Sequence, residues 1–303
     1  MSDATPFAIL ALVAVGALVI AILEQLIVDG RPAPALLVRN AVERLREPVA
    51  RPETYDGWLY HLAPALLLLS AVAALAMVPW APGFRGIELE SGAILFAAAL
   101  AYVTPAVFMA GWGAGRPLAV LGAFRFVALM LGYAMPIAMV ITAVAAPAAS
   151  LRPAEIVDLQ HAVPMALVQP YSLALWLPAV MAVALLPPFD VATAPGELGG
   201  AGAFERYAGL EAGIVALARR VLLLAVSGMT AALFLGGWHG PLLPDAIWMS
   251  LKTLAVAAGL LWAGRVFPRM ETDRLVSLAW KVAIPGAIGA IVLAGATTLL
   301  FYR

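Results

Sequence analysis

Residues 188–238 read PFDVATAPGELGGAGAFERYAGLEAGIVALARRVLLLAVSGMTAALFLGGW, and this stretch decides the fold class. A loop that carries acidic, basic and aromatic side chains joins two apolar segments of membrane-spanning length. A helix needs roughly 20 apolar residues to cross the hydrocarbon core of a bilayer. Charges at the edge of such a segment are costly unless they are solvated, paired or used. The loop is therefore the first place to look for function.

The rest of the chain repeats this apolar pattern. Hydrophobic residues make up 64% and charged residues 12% of its 303 positions, and the mean hydropathy is +0.97. The longest polar stretch, roughly 30 residues, is too short to bury a core of its own. We therefore predict a single domain over 1–303, an all-α polytopic membrane protein with amphipathic loop helices. About eight transmembrane helices are expected from the apolar runs, at about 7–28, 59–80, 92–112, 118–148, 171–188, 212–237, 246–267 and 282–301.

The positive charges predict the orientation of these spans. Arg and Lys concentrate in one set of alternate loops, and loops rich in these residues remain in the cytoplasm. The predicted cytoplasmic loops are about 29–58, 113–117, 189–211 and 268–281. Both termini are then expected in the periplasm, with the chain in the inner membrane of a bacterium.

The composition argues against several classes of site. The chain has no cysteine, which excludes disulfides and thiolate ligands for metals. His61, His161 and His239 are scattered, without the i,i+4 spacing of a helical ligand pair, so no metal site is expected. A net charge of +0 gives no indication of a nucleic-acid partner.

The two longer polar loops each allow two interpretations. Asp190 and Glu197 are seven positions apart and would share one face of a helix. They could relay protons or bind a polar headgroup, or they could be solvated acids beside a helix N-terminus. The segment 39–47 has the pattern of an amphipathic helix. It could wall the access route of an amphipathic ligand, or anchor the chain at the lipid headgroups or on a partner.

Few charges lie within the predicted spans, and each is a functional hypothesis by default. Glu24 ends the first span, Arg219 and Arg220 lie in the sixth, and Arg125 lies between two phenylalanines in the fourth. Arg125 could pair with Asp190 or Glu197, as a coupling element or as a structural salt bridge. Lys252 has the pattern of a lysine that reaches towards the membrane surface.

Short motifs stand in a characteristic order along the chain. They are Leu62-Ala63-Pro64, Gly111-Trp112, Leu121 to Arg125 with Tyr133, Pro188-Phe189-Asp190, Glu197-Leu198, Tyr207-Ala208-Gly209, Phe234 to Trp238, Pro268-Arg269 and Trp280-Lys281-Val282. In this order and spacing they resemble the H subunit of the proton-translocating NADH:quinone oxidoreductases (complex I). Membrane-bound hydrogenases and formate hydrogenlyases contain related subunits.

The resemblance implies a place for the chain in a larger enzyme. In that family the subunit joins the membrane arm to the peripheral redox arm, beside antiporter-like membrane subunits. It binds no cofactor covalently, and quinone is the substrate of the complex. The quinone-cavity candidates are then Glu24, Arg44, Arg46, Phe189 and Asp190. The ion-coupling candidates are Arg125, Asp190, Glu197, Glu205 and Arg219.

The chain departs from the family pattern in one physical direction. Acids that the family carries in its coupling path are replaced here by Ala134, Thr193, Pro195 and Arg219. None of these side chains changes its charge during turnover, since arginine stays protonated. The coupling path is therefore either rerouted through the remaining acids or weakened.

Two hypotheses follow for the function. The first is a membrane subunit of a complex I-like oxidoreductase that docks the redox arm and contributes to the quinone cavity and ion coupling. The second is a non-catalytic anchor of a hydrogenase-type or other related ion-translocating assembly without quinone chemistry. Under either hypothesis the isolated chain is inactive, because the redox activity belongs to the complex. A stand-alone transporter is less favoured, since no inverted repeat is evident.

Overall fold

Within a bilayer each backbone N–H and C=O group must find a partner inside the protein, and helices provide these partners locally. A computed structural model of the chain describes residues 5–30, 39, 43, 55–84, 86–193, 202–204 and 207–301. In these ranges the chain is helical, apart from loops and one isolated bridge between Ala81 and Phe84. The predicted all-α membrane fold is confirmed.

The described helices are numbered here in chain order. They are α1 (Thr5–Asp29), α2 (Gly57–Ala76), α3 (Gly92–Ala101), α4 (Val103–Gly113), α5 (Pro117–Ala145), α6 (Pro153–Leu159), α7 (Met165–Val168), α8 (Pro170–Val183), α9 (Gly209–Phe234), α10 (Asp245–Val266), α11 (Thr272–Leu278) and α12 (Ile284–Phe301). A π-helical turn, Ala279–Ala283, joins α11 to α12.

Seven segments of the described chain are long and apolar enough to cross a membrane. The fifth predicted span, about 171–188, is instead the 14-residue helix α8, followed by a turn in which Leu185 has a positive φ of 56°. The predicted third span is interrupted at Tyr102, between α3 and α4. Pro105 explains this break, because its ring removes a donor and crowds the preceding turn.

Helix α9 lies at the centre of the bundle. Almost every side chain from Val221 to Phe234 is buried, and α9 packs on α1, α2 and α10. Close approaches elsewhere depend on glycine: a Cβ at Gly113 would lie 2.7 Å from the Tyr60 nitrogen, and one at Gly132 would lie 2.5 Å from the Ala279 Cβ. Small residues at crossings are the usual means of bringing membrane helices together.

One end of the bundle gathers the arginine-bearing loops, and we call it the arginine-rich end. Here α1, α4, α8 and α10 end, and α2, α5, α9 and α11 begin. Arg265 at the end of α10 donates to the carbonyl of Ile27 on α1. The Asp56 nitrogen, at the start of α2, donates to the Gly113 carbonyl at 3.1 Å. These contacts connect the helix ends into one polar layer.

Candidate functional site

The loop after α8 holds its side chains against the bundle. The Phe189 nitrogen donates to the Leu186 carbonyl at 2.8 Å, and the Thr193 nitrogen donates to the Asp190 carbonyl at 3.0 Å. The Phe189 ring is buried, edge-on to Tyr133 of α5 with 5.5 Å between centroids. These turns carry the Asp190 carboxylate into the protein at the arginine-rich end.

Asp190 is paired with Arg269, which lies between α10 and α11. The guanidinium approaches both carboxylate oxygens, with Nε at 3.2 Å from Oδ1 and a terminal nitrogen at 2.9 Å from Oδ2. The Asp190 side chain is 7% exposed, whereas that of Arg269 is 51% exposed. Such a fork-to-fork contact is among the strongest and most directional ion pairs.

A second ion pair and a buried arginine continue this network. Arg220 on α9 contacts Glu24 on α1, with 3.0 Å between Nε and Oε2. The neighbouring Arg219 donates to the carbonyl of Leu185 at 3.0 Å, and its charge interacts with Glu24 and Asp190. Two carboxylates and three guanidiniums therefore lie in sequence across α1, α9, the loop after α8 and the approach to α11.

Beside this network, an aromatic cluster fixes the start of α9. The Tyr207 ring stacks on Tyr60 at 4.4 Å between centroids, and its hydroxyl donates to the Tyr60 carbonyl at 2.9 Å. His61 Nδ1 lies 3.1 Å from a carboxylate oxygen of Glu211. Burial, followed by the charges of Tyr60 and Glu211, raises the pKa of Tyr207 well above its usual range. Tyr207 therefore acts here as a neutral hydrogen-bond donor.

The structure brings four of the candidate residues to this end of the bundle, namely Glu24, Phe189, Asp190 and Arg219. Arg125 lies half-buried on α5. The candidates Arg44, Arg46, Glu197 and Glu205 lie outside the described residues. In the first loop, Arg39 and Glu43 are helical and pair at 2.7 Å on an exposed face, as the amphipathic pattern predicts.

Sequence reasoning missed the partner of Asp190. It offered Arg125 for this role, whereas Arg269 makes the bidentate contact. Arg269 was visible only as part of the Pro268-Arg269 motif, in a loop where a positive charge already has an explanation in membrane orientation. Its pairing with Asp190 depends on the packing of α10 against α9, which the spacing of residues along the chain does not show.

Lys252, at the opposite end of the bundle, corrects a second expectation. Its ammonium does not reach for the membrane surface but donates to the carbonyls of Leu235, Gly237 and His239, at 2.7, 2.9 and 2.7 Å. It also lies 5.8 Å above the ring of Trp248. The lysine therefore closes the turn that follows α9.

This turn also predicts a loss of stability in acid. Burial lowers the pKa of His239, and the nearby charge of Asp158 opposes that effect; His161, Lys252 and Asp245 contribute less. The folded state then binds fewer protons at His239 than the unfolded state, so its contribution to stability falls as the pH drops below about 6.5. We expect the SDS concentration at the midpoint of unfolding to fall between pH 7.5 and 5.5.

The variant His239→Asn tests the source of this loss. It removes the titrating ring but keeps a polar side chain of similar reach. The dependence of the unfolding midpoint on pH should become shallower than in the unsubstituted chain. An equally steep dependence in both proteins would assign the effect to other groups.

Comparison with known proteins agrees with this arrangement. Residues 41–295 match the family described as NADH dehydrogenase. The chain is 33% identical to NADH-quinone oxidoreductase H subunit 2 of Syntrophobacter fumaroxidans, over 82% of this chain and 77% of that protein. It is 32% identical to the NADH-quinone oxidoreductase H subunit of Geobacillus kaustophilus, over 91% and 84% of the two chains. The chain therefore belongs to the NADH dehydrogenase family, as a divergent H subunit of the complex I type.

Proposed function

We propose that this chain docks the peripheral redox arm of a complex I-like enzyme and contributes to its quinone cavity and ion-coupling path. It works beside antiporter-like membrane subunits in the inner membrane of a bacterium, with both termini in the periplasm. The observation that carries the proposal is the network of carboxylates and guanidiniums at the arginine-rich end. Groups of this kind are expensive at membrane depth and are retained where they are used.

The Glu24–Arg220 pair is the part of the network assigned to quinone. It lies near the end of α1, immediately before the first loop, where the candidates Arg44 and Arg46 follow in the sequence. Reduction of a quinone places negative charge on its oxygens until protons arrive. A guanidinium stabilises such charge without changing its own protonation, and a neighbouring carboxylate can hold a proton.

The proposed coupling step is a change of partners along the network. A new negative charge near Arg220 and Arg219 competes with Glu24 and Asp190 for these cations. A carboxylate that loses its cationic partner takes up a proton more readily. Charge at the quinone end is thereby converted into a change of protonation at Asp190, with Glu197 and Glu205 as the next acids in the sequence.

The replaced acids favour the alternative function. Arg219 stands where the family carries an acid, and it is held by a backbone carbonyl, so it cannot carry a proton through the network. A protein with this change could anchor a hydrogenase-type or other related assembly without quinone chemistry. The two functions differ in what happens when the remaining carboxylates are neutralised.

The experiment compares Glu24→Gln and Asp190→Asn in the assembled complex, in inverted membrane vesicles with NADH as donor. If the network couples, proton pumping per NADH should fall about tenfold or more while the variants still copurify with the other subunits. Glu90→Gln is the matched control, since Glu90 is an exposed acid outside the network. Full pumping in both variants would leave the anchor function, and isolation of the chain without partner subunits would contradict both functions.

A further inference from the structure

A long apolar cleft lies on the side of the bundle between α8 and α10. Its volume is about 810 Å³, within the range of ~300–1,000 Å³ typical of ligand sites. One wall is the face of α10 formed by Val256, Gly259, Leu260 and Ala263, which recur at helical spacing, and the other wall includes Leu177 and Met181 of α8. The cleft continues to the arginine-rich end, where Phe267 and Pro268 line it.

The lining offers hydrocarbon contacts and little else. The one hydroxyl-bearing side chain in the described lining is Thr230, and its oxygen already accepts from Trp176 Nε1 at 2.8 Å and donates to the Val226 carbonyl at 2.6 Å. Trp262 and Phe267 also line the cleft and are 62% and 59% exposed, so the cleft opens sideways. A ligand here would be an apolar chain that enters from the bilayer.

The length of the cleft matches one leaflet. From Val256 to Phe267 the chain advances eleven residues, a rise of about 16 Å at 1.5 Å per residue. Half of the hydrocarbon core is about 15 Å thick. The cleft therefore reaches from the membrane surface at the arginine-rich end to about the middle of the bilayer, which is the depth of an acyl chain.

Two cations stand at the mouth of the cleft. Arg269 lies between Pro268 and Met270, which both line it, and half of its side chain is exposed. Arg274 precedes the lining residue Leu278 by one helical turn, on the same face of α11, and its side chain is 77% exposed. A phosphate at this level would meet both guanidiniums.

We propose that the cleft binds a membrane phospholipid, with one acyl chain between α8 and α10 and the phosphate beside Arg269 and Arg274. A transmembrane helix of another protein in the complex fits less well. A helix about 10 Å across occupies roughly 1,250 Å³ over 16 Å of its length, which is larger than the cleft. The site lies on a different face of α9 from the Glu24–Arg220 pair and does not depend on quinone binding there.

Gly259 allows the cleft to be probed from inside. A Cβ at this position meets nothing within 4 Å, and the chain has no cysteine of its own. Gly259→Cys therefore introduces a unique thiol in the cleft, which a benzophenone maleimide can modify. Gly289→Cys on α12 is the matched control, because a Cβ there also meets nothing within 4 Å and Gly289 does not line the cleft.

The labelled complex is purified through repeated detergent exchange, irradiated, and analysed by mass spectrometry of the intact chain. We expect a phospholipid adduct at Gly259→Cys at least fivefold more abundant than at Gly289→Cys, and a loss of that adduct of threefold or more when Arg274→Gln is added. An adduct with another protein of the complex, an adduct with quinone, or equal lipid adducts at the two positions would overturn the proposal.

Discussion

Replacing Arg269 with methionine is expected to destabilise the folded chain by about 3 kcal/mol, at the lower end of the cost of breaking a buried ion pair. The reason is the exposure of the two partners. The Asp190 side chain is 7% exposed, and both of its oxygens accept from Arg269. Arg269→Met leaves this carboxylate inside the protein without its cation, and methionine supplies no donor in return.

The reverse change should be much milder. Asp190→Asn frees a guanidinium that is already half in water and can turn fully towards it. We expect a loss of about 1 kcal/mol, the usual net value of a hydrogen bond. The double variant should be more stable than Arg269→Met alone, because no charge is then left buried.

Unfolding in mixed micelles with increasing SDS measures these differences on the purified chain. Arg274→Met provides the control: it removes an equivalent cation from an exposed pair with Glu271, 3.6 Å apart, and should cost less than about 1 kcal/mol. Equal losses for Arg269→Met and Asp190→Asn would mean that the pair does not hold the loop in the way that its burial implies.

The sequence predicts the fold of this chain more fully than its site. Apolar runs of membrane-spanning length leave few alternatives to helices, because a bilayer offers the backbone no other partners. The boundaries failed where proline or a tight turn intervened, as at Tyr102 and Leu185. Residue types alone do not show whether a marginal run such as 171–188 remains helical to its end.

The site was predictable in its residues but not in its partners. Glu24, Asp190 and Arg219 stood out because charges near the hydrocarbon core need a reason. Their partners are set by how α9 packs on α1 and α10, over sequence separations that no local pattern encodes. Arg220 and Arg269 therefore became evident only in the folded chain, and Lys252 was assigned to the surface although it points into a turn.

Replacing Lys252 with methionine is expected to cost about 3–5 kcal/mol. Charge-assisted hydrogen bonds contribute about 1.5–3 kcal/mol each, and contributions of this kind add incompletely. Lys252 donates three such bonds, to the carbonyls of Leu235, Gly237 and His239. The turn that they hold has glycines with positive φ at Gly236 and Gly237. Without the ammonium, these carbonyls lose their donor and the end of α9 loses its closure. Lys281→Met, at an exposed position, should cost less than about 0.5 kcal/mol.

Lys252→Arg separates the geometry of the ammonium from its charge. Three carbonyls converge on a single nitrogen, as a compact ammonium with three donors allows, whereas the planar fork of a guanidinium spreads its donors over several atoms. Arginine should therefore fail to restore stability and remain within about 1 kcal/mol of the methionine variant. A lysine that merely reached for the membrane surface would be replaced by arginine without loss. Recovery of the full SDS midpoint by Lys252→Arg would thus refute its role as the closure of the turn after α9.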